Sequence, residues 1–433
     1  MGASWNFGGT RQAEDHPVVP FIEGDGVGPE IGKAARRVLD AAVRAAYGGR
    51  RTITWQEVLA GEKARRETGD GLPAETLVTL AERRLALKGP LATPVGEGNR
   101  SINVALRKAL DLYVCLRPVR AFGGVPAPVR HPEWVDMVLF RENTEDLYTG
   151  IEFAAGSAEQ RRFLSLLREQ FPQAYAQIPF PDSSGLGIKP ISRQGSERFV
   201  RAAIRWSLAN GRRKLTLVHK GNIMKFTEGA FRTWAYELAE REFGGQVYTE
   251  LARRRTLEAQ GETAAEAERA QALAEGKLII DDGITDAVFE AVLTRSRDFS
   301  VLATTNLNGD YLSDALAAQV GGLGVAPGAN LNFETGVGVF EATHGTAPRL
   351  AGRDVANPSS LILSGEMLLR ALGWPEAAGR VLDALEQTFA ARTFTPDLYA
   401  LAGEGTAVGT AEFADGLVAR ISAAAQAPIG NPS

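Results

Sequence analysis

Asp310 and Asp314 stand four residues apart in "NLNGDYLSDALAAQVGG" (306–322). On a helix this spacing puts two carboxylates on one face, one turn apart. A divalent cation with oxygen ligands would relieve their repulsion. The competing account makes Asp310 a helix-dipole acid and leaves Asp314 in water. "IIDDGITDAV" adds Asp281, Asp282 and Asp286 after a strand-like run, acids able to complete a cation site. Arg107 ends a short helical pattern, Arg117 and Arg120 follow the apolar run "LYVCL", and Arg141 follows "VDMVLF". Guanidinium groups at strand ends suit bidentate capture of a polycarboxylate, if they converge. The alternative gives each arginine its own surface glutamate. Lys220 closes the strand pattern "KLTLVHKG", where neighbouring cations and burial can fit a lysine for proton transfer. A structural salt bridge is the rival. Tyr148 in "EDLYTG" is a second proton donor or a core aromatic.

"HGTAPRLAGRDVANP" (344–358) reads as a loop from its glycines and prolines, yet carries His344, Arg349 and Arg353 with almost no acid. Loops on a rigid scaffold often hold ligands, and this one suits an anion.

These groups need elements to position them. "FIEGDGVGPEI" reads as strand, turn and helix. Gly24, Gly26 and Gly28 make G-x-G-x-G, not G-x-G-x-x-G, and no acidic residue closes a second strand at the distance a dinucleotide loop requires. A tight turn needing glycine freedom is the better account. Strand patterns ("LALKGPL", "LYVCLRPV", "VDMVLF", "KLTLVHKG", "SVLATTNL") alternate with helical ones ("PAETLVTLAERR", "SERFVRAAIRWSLANG", "TEGAFRTWAYELAERE"), which predicts an α/β protein. After residue 358 the pattern is nearly all helical. Residues 154–185 look like an inserted arm, and 251–277 like a solvated helix or mobile loop, expected to be peripheral to the chemistry.

A chain of 433 residues exceeds one simple core, so two domains are expected. A net charge of −4 gives no reason to expect nucleic acid or an anionic membrane as partner. The single cysteine, Cys115, excludes an intrachain disulfide and reads as a small buried hydrophobe. No apolar stretch has signal-peptide or membrane-spanning length, so a cytoplasmic location is expected.

With these residues assembled, nearly the whole chain resembles the β-decarboxylating dehydrogenases of the isocitrate and isopropylmalate type, and their bacterial isocitrate branch in particular. "RENTEDLYTGIE", "LVHKGNIMKFTEGAF", "LNGDYLSDALAAQVGG" and "NPSSLILSGEMLLRALGW" carry the likeness. It implies an α/β fold unlike the standard Rossmann architecture, with a large domain (1–112 and 321–433), a small domain (113–145 and 191–320) and a clasp-like dimerisation segment (146–190). It implies a homodimer with shared active sites acting on isocitrate, within the tricarboxylic acid cycle. Ser101, Asn103, Arg107, Arg117 and Arg141 match substrate-binding positions. Tyr148 and Lys220 match the proton-transfer pair, and Asp282, Asp310 and Asp314 match ligands of Mg²⁺ or Mn²⁺, with Lys220 and Asp282 coming from the partner subunit. Thr93, His344, Gly345, Thr346, Ala347, Arg349, Leu350, Arg353, Asn357 and Asp397 fall at cofactor-binding positions. The resemblance also implies a regulatory kinase acting at Ser101 in some members.

NADP is the expected cofactor, because no Asp follows Pro348 to exclude a 2′-phosphate and two arginines are there to meet it. Leu350 and Ala356 point instead to NAD. Acting on homoisocitrate or isopropylmalate, or binding without catalysis, are the other readings; Ser101 and Asn103 resemble the isocitrate branch.

Overall fold

A computed structural model describes residues 14–92 and 101–426. Its strands in chain order are β1 (Val18–Ile22), β2 (Thr54–Glu57), β3 (Leu85–Lys88), β4 (Val114–Arg120), β5 (Asp136–Glu142), β6 (Glu152–Phe153), β7 (Leu186–Gly187), β8 (Lys214–His219), β9 (Val247–Thr249), β10 (Leu278–Ile284), β11 (Val301–Thr304), β12 (Pro327–Leu331), β13 (Gly338–Ala342), β14 (Thr393–Phe394) and β15 (Thr406–Ala407). One mixed sheet has the order β2-β1-β3-β13-β12-β4-β5-β11-β8-β10-β9. The strands β2, β1, β3 and β13 run parallel, as do β5, β11, β8, β10 and β9. Between them, β12 is antiparallel to both neighbours and β4 to both of its own. The two parallel halves therefore point in opposite directions, which no standard Rossmann sheet does. Arg141, Lys220 and Asp282 all fall at the carboxyl edge of the second half, where open α/β sheets bind ligands.

Burial explains the strands. Leu139, Phe140, Leu215, Leu217, Leu302 and Ala303 are fully buried, as sheets covered on both faces require. The helix Gly28–Tyr47 buries Ile31, Ala34, Ala35, Val38, Leu39, Ala42 and Val43, the stripe its sequence period predicts. It packs on the helices Ser359–Ala371, Pro375–Ala390 and Thr410–Gln426, which answer to the helical tail read from sequence.

The "GDGVG" turn is a joint between loops. Gly24 and Gly26 have φ of +87° and +61°, and a Cβ on Gly26 would sit 2.0 Å from the Thr346 carbonyl oxygen. Val27 N donates to that oxygen at 2.9 Å. The Asp25 carboxylate accepts from Glu62 N and Ala92 N, each at 2.8 Å. The turn thus ties the 344–358 loop to Glu62 and to Ala92, which follows β3.

Residues 146–190 build a piece of their own: the turn Asp146–Thr149, the β6–β7 ribbon and the helix Ala158–Gln170. Leu147, Ile151, Leu166, Phe171, Phe180 and Ile188 are exposed on it. The 251–277 region folds as two helices, Glu250–Gln260 and Glu262–Ala274, laced by Arg253 with Glu250, Glu262 and Glu266. It is not wholly peripheral, as the sequence suggested: Arg254 comes within 4.0 Å of the Asp282 carboxylate.

Candidate active site

The helix Asn306–Gln319 follows β11 and carries Asp310 and Asp314 on one face. Tyr148 donates its hydroxyl hydrogen to one Asp310 oxygen, and Arg141 pairs with the other. Arg141 also donates through Nε to Asn306 Oδ1 at 2.9 Å and lies 4.9 Å from the Tyr148 ring centroid. Arg117 reaches Ser313 Oγ at 2.5 Å and Asp314 at 3.1 Å. Arg107, on the helix Ile102–Ala109, pairs with Glu341 at 3.1 Å. Arg107, Arg117 and Arg141 therefore converge. Arg120 does not: it points away to Glu386 at 3.0 Å.

The electrostatics follow from this crowding. Burial lowers the Arg141 pKa, Arg107 and Arg117 add to the effect, and Asp310 opposes it. Burial works to raise the Asp310 carboxyl, but Arg141, the Tyr148 bond, Arg117 and Arg107 outweigh it and hold it low. Burial first, opposed by Arg141 and aided by the bond and charge of Asp310, pushes the Tyr148 phenol up to about 12. Buried atoms without a hydrogen-bond partner line the same region: Arg107 Nε, Arg117 Nε and Asn103 Oδ1. Ser101 precedes the Arg107 helix, its carbonyl accepting from Ala105 N at 3.0 Å.

A second cluster forms at the ends of β8 and β10. Lys220 pairs with Asp286. Asp282 accepts from Tyr236 at 2.5 Å, Arg232 at 2.9 Å and His219 Nε2 at 3.1 Å. Gly221 N donates to His219 Nδ1 at 3.0 Å, which leaves the ring hydrogen on Nε2, facing Asp282. Burial opposes ionisation of Asp282, yet His219, Arg232 and Tyr236 hold its carboxyl well below the usual range. Asp281 is taken by Thr216 at 2.6 Å and Lys214 at 2.9 Å. Among the described residues, no three acidic, histidine or cysteine side chains of one chain gather closely enough to hold a metal.

The 344–358 loop follows β13. His344 Nδ1 lies 2.9 Å from the Gly345 carbonyl, and its buried Nε2 has no hydrogen-bond partner. Burial lowers the His344 pKa, against the pull of Asp397. Asn357 donates to Asp397 at 3.0 Å and accepts from Ser359 N at 3.0 Å. Ala347 sits at φ +41° and its carbonyl accepts Leu350 N at 2.9 Å. Arg349 and Arg353 are exposed, and among the described residues neither forms an ion pair with a carboxylate. Arg353 donates to the Arg349 carbonyl at 3.5 Å. Thr93 lies outside the described residues.

Sequence reasoning missed Glu341 and Lys88. They face each other in register on β13 and β3, pair at 2.6 Å, and are almost wholly buried. Asn330 adds a bond to Glu341 at 2.6 Å. A lysine and a glutamate that meet only across two strands more than two hundred residues apart leave no local pattern; the one signal was a charge inside each apolar run, "LALKG" and "GVFEA".

Arginines, paired acids and a half-buried phenol at a sheet's carboxyl edge are the equipment of an enzyme that handles a polyanion, and the fold narrows the class. Residues 18–417 match the isocitrate/isopropylmalate dehydrogenase family, and the chain belongs to it. It is 54% identical over 407 residues to the isocitrate dehydrogenase [NADP] of Staphylococcus epidermidis, covering 94% of this chain and 96% of that one. To its namesake in Streptococcus mutans it is 51% identical over 389 residues, covering 90% and 92%. The crystal structure of isocitrate dehydrogenase from Methylococcus capsulatus superposes with a TM-score of 0.74 at 34% identity, over 94% of this chain and 99% of that one.

Proposed function

We infer that the chain oxidatively decarboxylates isocitrate to 2-oxoglutarate and CO₂ while reducing NADP. The observation that carries this reading is the convergence of Arg107, Arg117 and Arg141 beside Asp310, Asp314 and Tyr148, in a chain more than half identical to NADP-dependent isocitrate dehydrogenases.

Arg107, Arg117 and Arg141 bind and orient the substrate carboxylates, with Ser101 and Asn103 beside them; the unpartnered Arg107 Nε, Arg117 Nε and Asn103 Oδ1 are open to such a ligand. Tyr148 is protonated at neutral pH, its phenol standing near 12, and delivers a proton to C3 after CO₂ leaves. Lys220 of the partner subunit takes the proton of the C2 hydroxyl, directly or through water. Asp310 and Asp314 offer hard oxygen donors on one helix face, and Asp314 is half exposed, which fits Mg²⁺ or Mn²⁺. Asp282 of the partner subunit would add a third carboxylate. Such a cation, when bound, stabilises negative charge on the C2 oxygen.

For NADP, the unpartnered His344 Nε2, with Asn357 and Asp397, suits the adenosine; Gly345, Thr346, Ala347 and Leu350 shape the loop, and Arg349 and Arg353 meet the 2′-phosphate. Thr93 is assigned to the cofactor from its position in the sequence alone. We read the sheet halves as the large (1–112, 321–433) and small (113–145, 191–320) domains, and 146–190 as a clasp. Exposed Phe171 and Phe180 on that segment, and Ile223 and Phe226 beside Lys220, support a homodimer that brings Lys220 to its partner's Tyr148. A kinase adding phosphate to Ser101 would set a negative charge against a substrate carboxylate. The proposed location is the cytoplasm; among the described residues no helix is long and apolar enough to cross a membrane.

One assay decides. Purified protein with isocitrate, Mg²⁺ and NADP should produce reduced nicotinamide and 2-oxoglutarate in equal amounts. No reduced nicotinamide above background with either NADP or NAD would overturn the reading.

A further inference from the structure

Lys189 leaves the 146–190 segment and enters a buried carboxylate pair. Its Nζ lies 2.7 Å from Asp146 Oδ1 and 2.8 Å from Glu228 Oε1. Asp146 and Glu228 are both completely buried. Each carboxylate then reaches a different piece of the site. Asp146 Oδ2 accepts from Leu307 N at 3.0 Å, at the first turn of the Asp310–Asp314 helix. Asp146 itself opens the turn that bears Tyr148, and sits at φ +69°, a conformation that persists only where the surroundings fix it. Glu228 Oε2 accepts from Lys220 N at 2.9 Å and from Asn308 at 2.8 Å, and Oε1 accepts from Thr305 Oγ1 at 2.8 Å.

One ammonium group thus stands between two anions and ties three elements: the Tyr148 turn, the start of the helix bearing Asp310 and Asp314, and the backbone of Lys220. A lone buried charge is costly unless paired and hydrogen-bonded, and here every partner belongs to a segment that carries site chemistry.

We propose that Lys189, Asp146 and Glu228 form a strut of positioning residues that fixes Tyr148 and Lys220 relative to each other within one chain. The proposal rests on the reading of the site given above. On that reading Tyr148 and Lys220 of one chain serve different active sites, so the strut of each subunit sets geometry in both sites of the dimer. Misplacing a proton-transfer group by about 1 Å can cost on the order of 100-fold in rate.

The test is Lys189→Met in the full-length dimer, with Lys189→Arg as the conservative variant. Expected for Lys189→Met is a fall in kcat of roughly tenfold or more with KM for isocitrate within about threefold, because the arginines that hold substrate do not touch the strut, and recovery of most of kcat in Lys189→Arg. Glu228→Gln is carried in parallel and decides the matter if Lys189→Met does not fold. The discriminating readout is a mixed dimer of one wild-type and one Lys189→Met subunit, isolated through two affinity tags. It should fall well below half of wild-type activity, since one broken strut disturbs both sites. A mixed dimer of wild-type with Lys220→Met should keep about half, since it loses one group from one site. Half or more of wild-type activity in the Lys189→Met mixed dimer overturns the strut. If the wild-type protein is inactive, or the Lys220→Met mixed dimer is dead, it is the site reading that fails, and the strut falls with it.

Discussion

Tyr148 gives its hydroxyl hydrogen to Asp310, the same carboxylate that Arg141 pairs with from the other side. The phenol is therefore aimed at the proposed reaction centre and kept protonated, at a pKa near 12, by burial and by the anion next to it. Tyr148→Phe keeps the ring and its packing against Arg141 but removes the transferable proton. Positioned acid–base groups contribute on the order of 100- to 10,000-fold, so kcat should drop within that range while KM for isocitrate changes little. Steady-state kinetics at saturating cofactor check this; a KM rise with unchanged kcat would reassign Tyr148 to substrate binding.

Glu341 holds Arg107 and Lys88 by its two oxygens, inside the sheet. Burial pushes its carboxyl upward, but the charges of Lys88 and Arg107 and bonds from Lys88 and Asn330 win, leaving it well below the usual carboxylate range. A carboxyl whose folded pKa is depressed stabilises the fold above its unfolded value of about 4.3, and that stability is lost as pH falls towards the folded value. Glu341→Gln strands two buried cations and should cost about 3–5 kcal/mol near neutral pH. Urea unfolding of both proteins should show this gap at about pH 7 and a narrowing gap below about pH 4. A gap that stays constant across that range would mean packing, not charge, underlies it.

Local pattern carried the strands and helices with strong periodicity. The apolar stripe Ile31–Val43 became the buried face of Gly28–Tyr47, and "VDMVLF" became β5. The β12–β13 hairpin was not read from sequence, because Asn330 and Glu341 interrupt its apolar runs and are satisfied by each other and by Asn143, Lys88 and Arg107 from distant segments. For the same reason the arginine pocket was legible as residue types but its brace was not. Arg120 shows the limit of the spacing argument. It lies three residues beyond Arg117, but the strand's alternation sends the two to opposite faces. The 251–277 helices looked peripheral since their charges balance locally; that Arg254 turns toward Asp282 depends on how the helices dock, which no local spacing encodes.

Phe226 is 91% exposed and Ile223 70%, both in the turn that follows Lys220. Large apolar side chains so close to the proposed proton-transfer group are expected to be covered by a second subunit. If the proposed dimer forms through this turn, Phe226→Asp should shift the protein from dimer to monomer in sedimentation at micromolar concentration and lower kcat in step, because on that proposal an isolated chain lacks its partner's Lys220. A variant that remains fully dimeric and active would remove Phe226 from the interface.

Arg349 and Arg353 are exposed on the loop after β13, without a carboxylate partner among the described residues, while the nearby Asp397 is engaged by Asn357 and Thr395. Two exposed guanidinium groups beside the proposed adenosine site favour a cofactor with an additional phosphate. A charge-assisted hydrogen bond is worth about 1.5–3 kcal/mol, which corresponds to roughly 10- to 150-fold in a binding constant. Arg349→Asp replaces that attraction with repulsion, so kcat/KM for NADP should fall by about 100-fold or more, while kcat/KM for NAD, which lacks the 2′-phosphate, should hold or rise. Arg353→Ala should produce a smaller fall in the same direction, because Arg349 remains. Comparing the two specificity constants across wild type and both variants separates the roles. An NADP constant that hardly moves in Arg349→Asp would transfer phosphate recognition to Arg353, and no change in either variant would remove it from this loop.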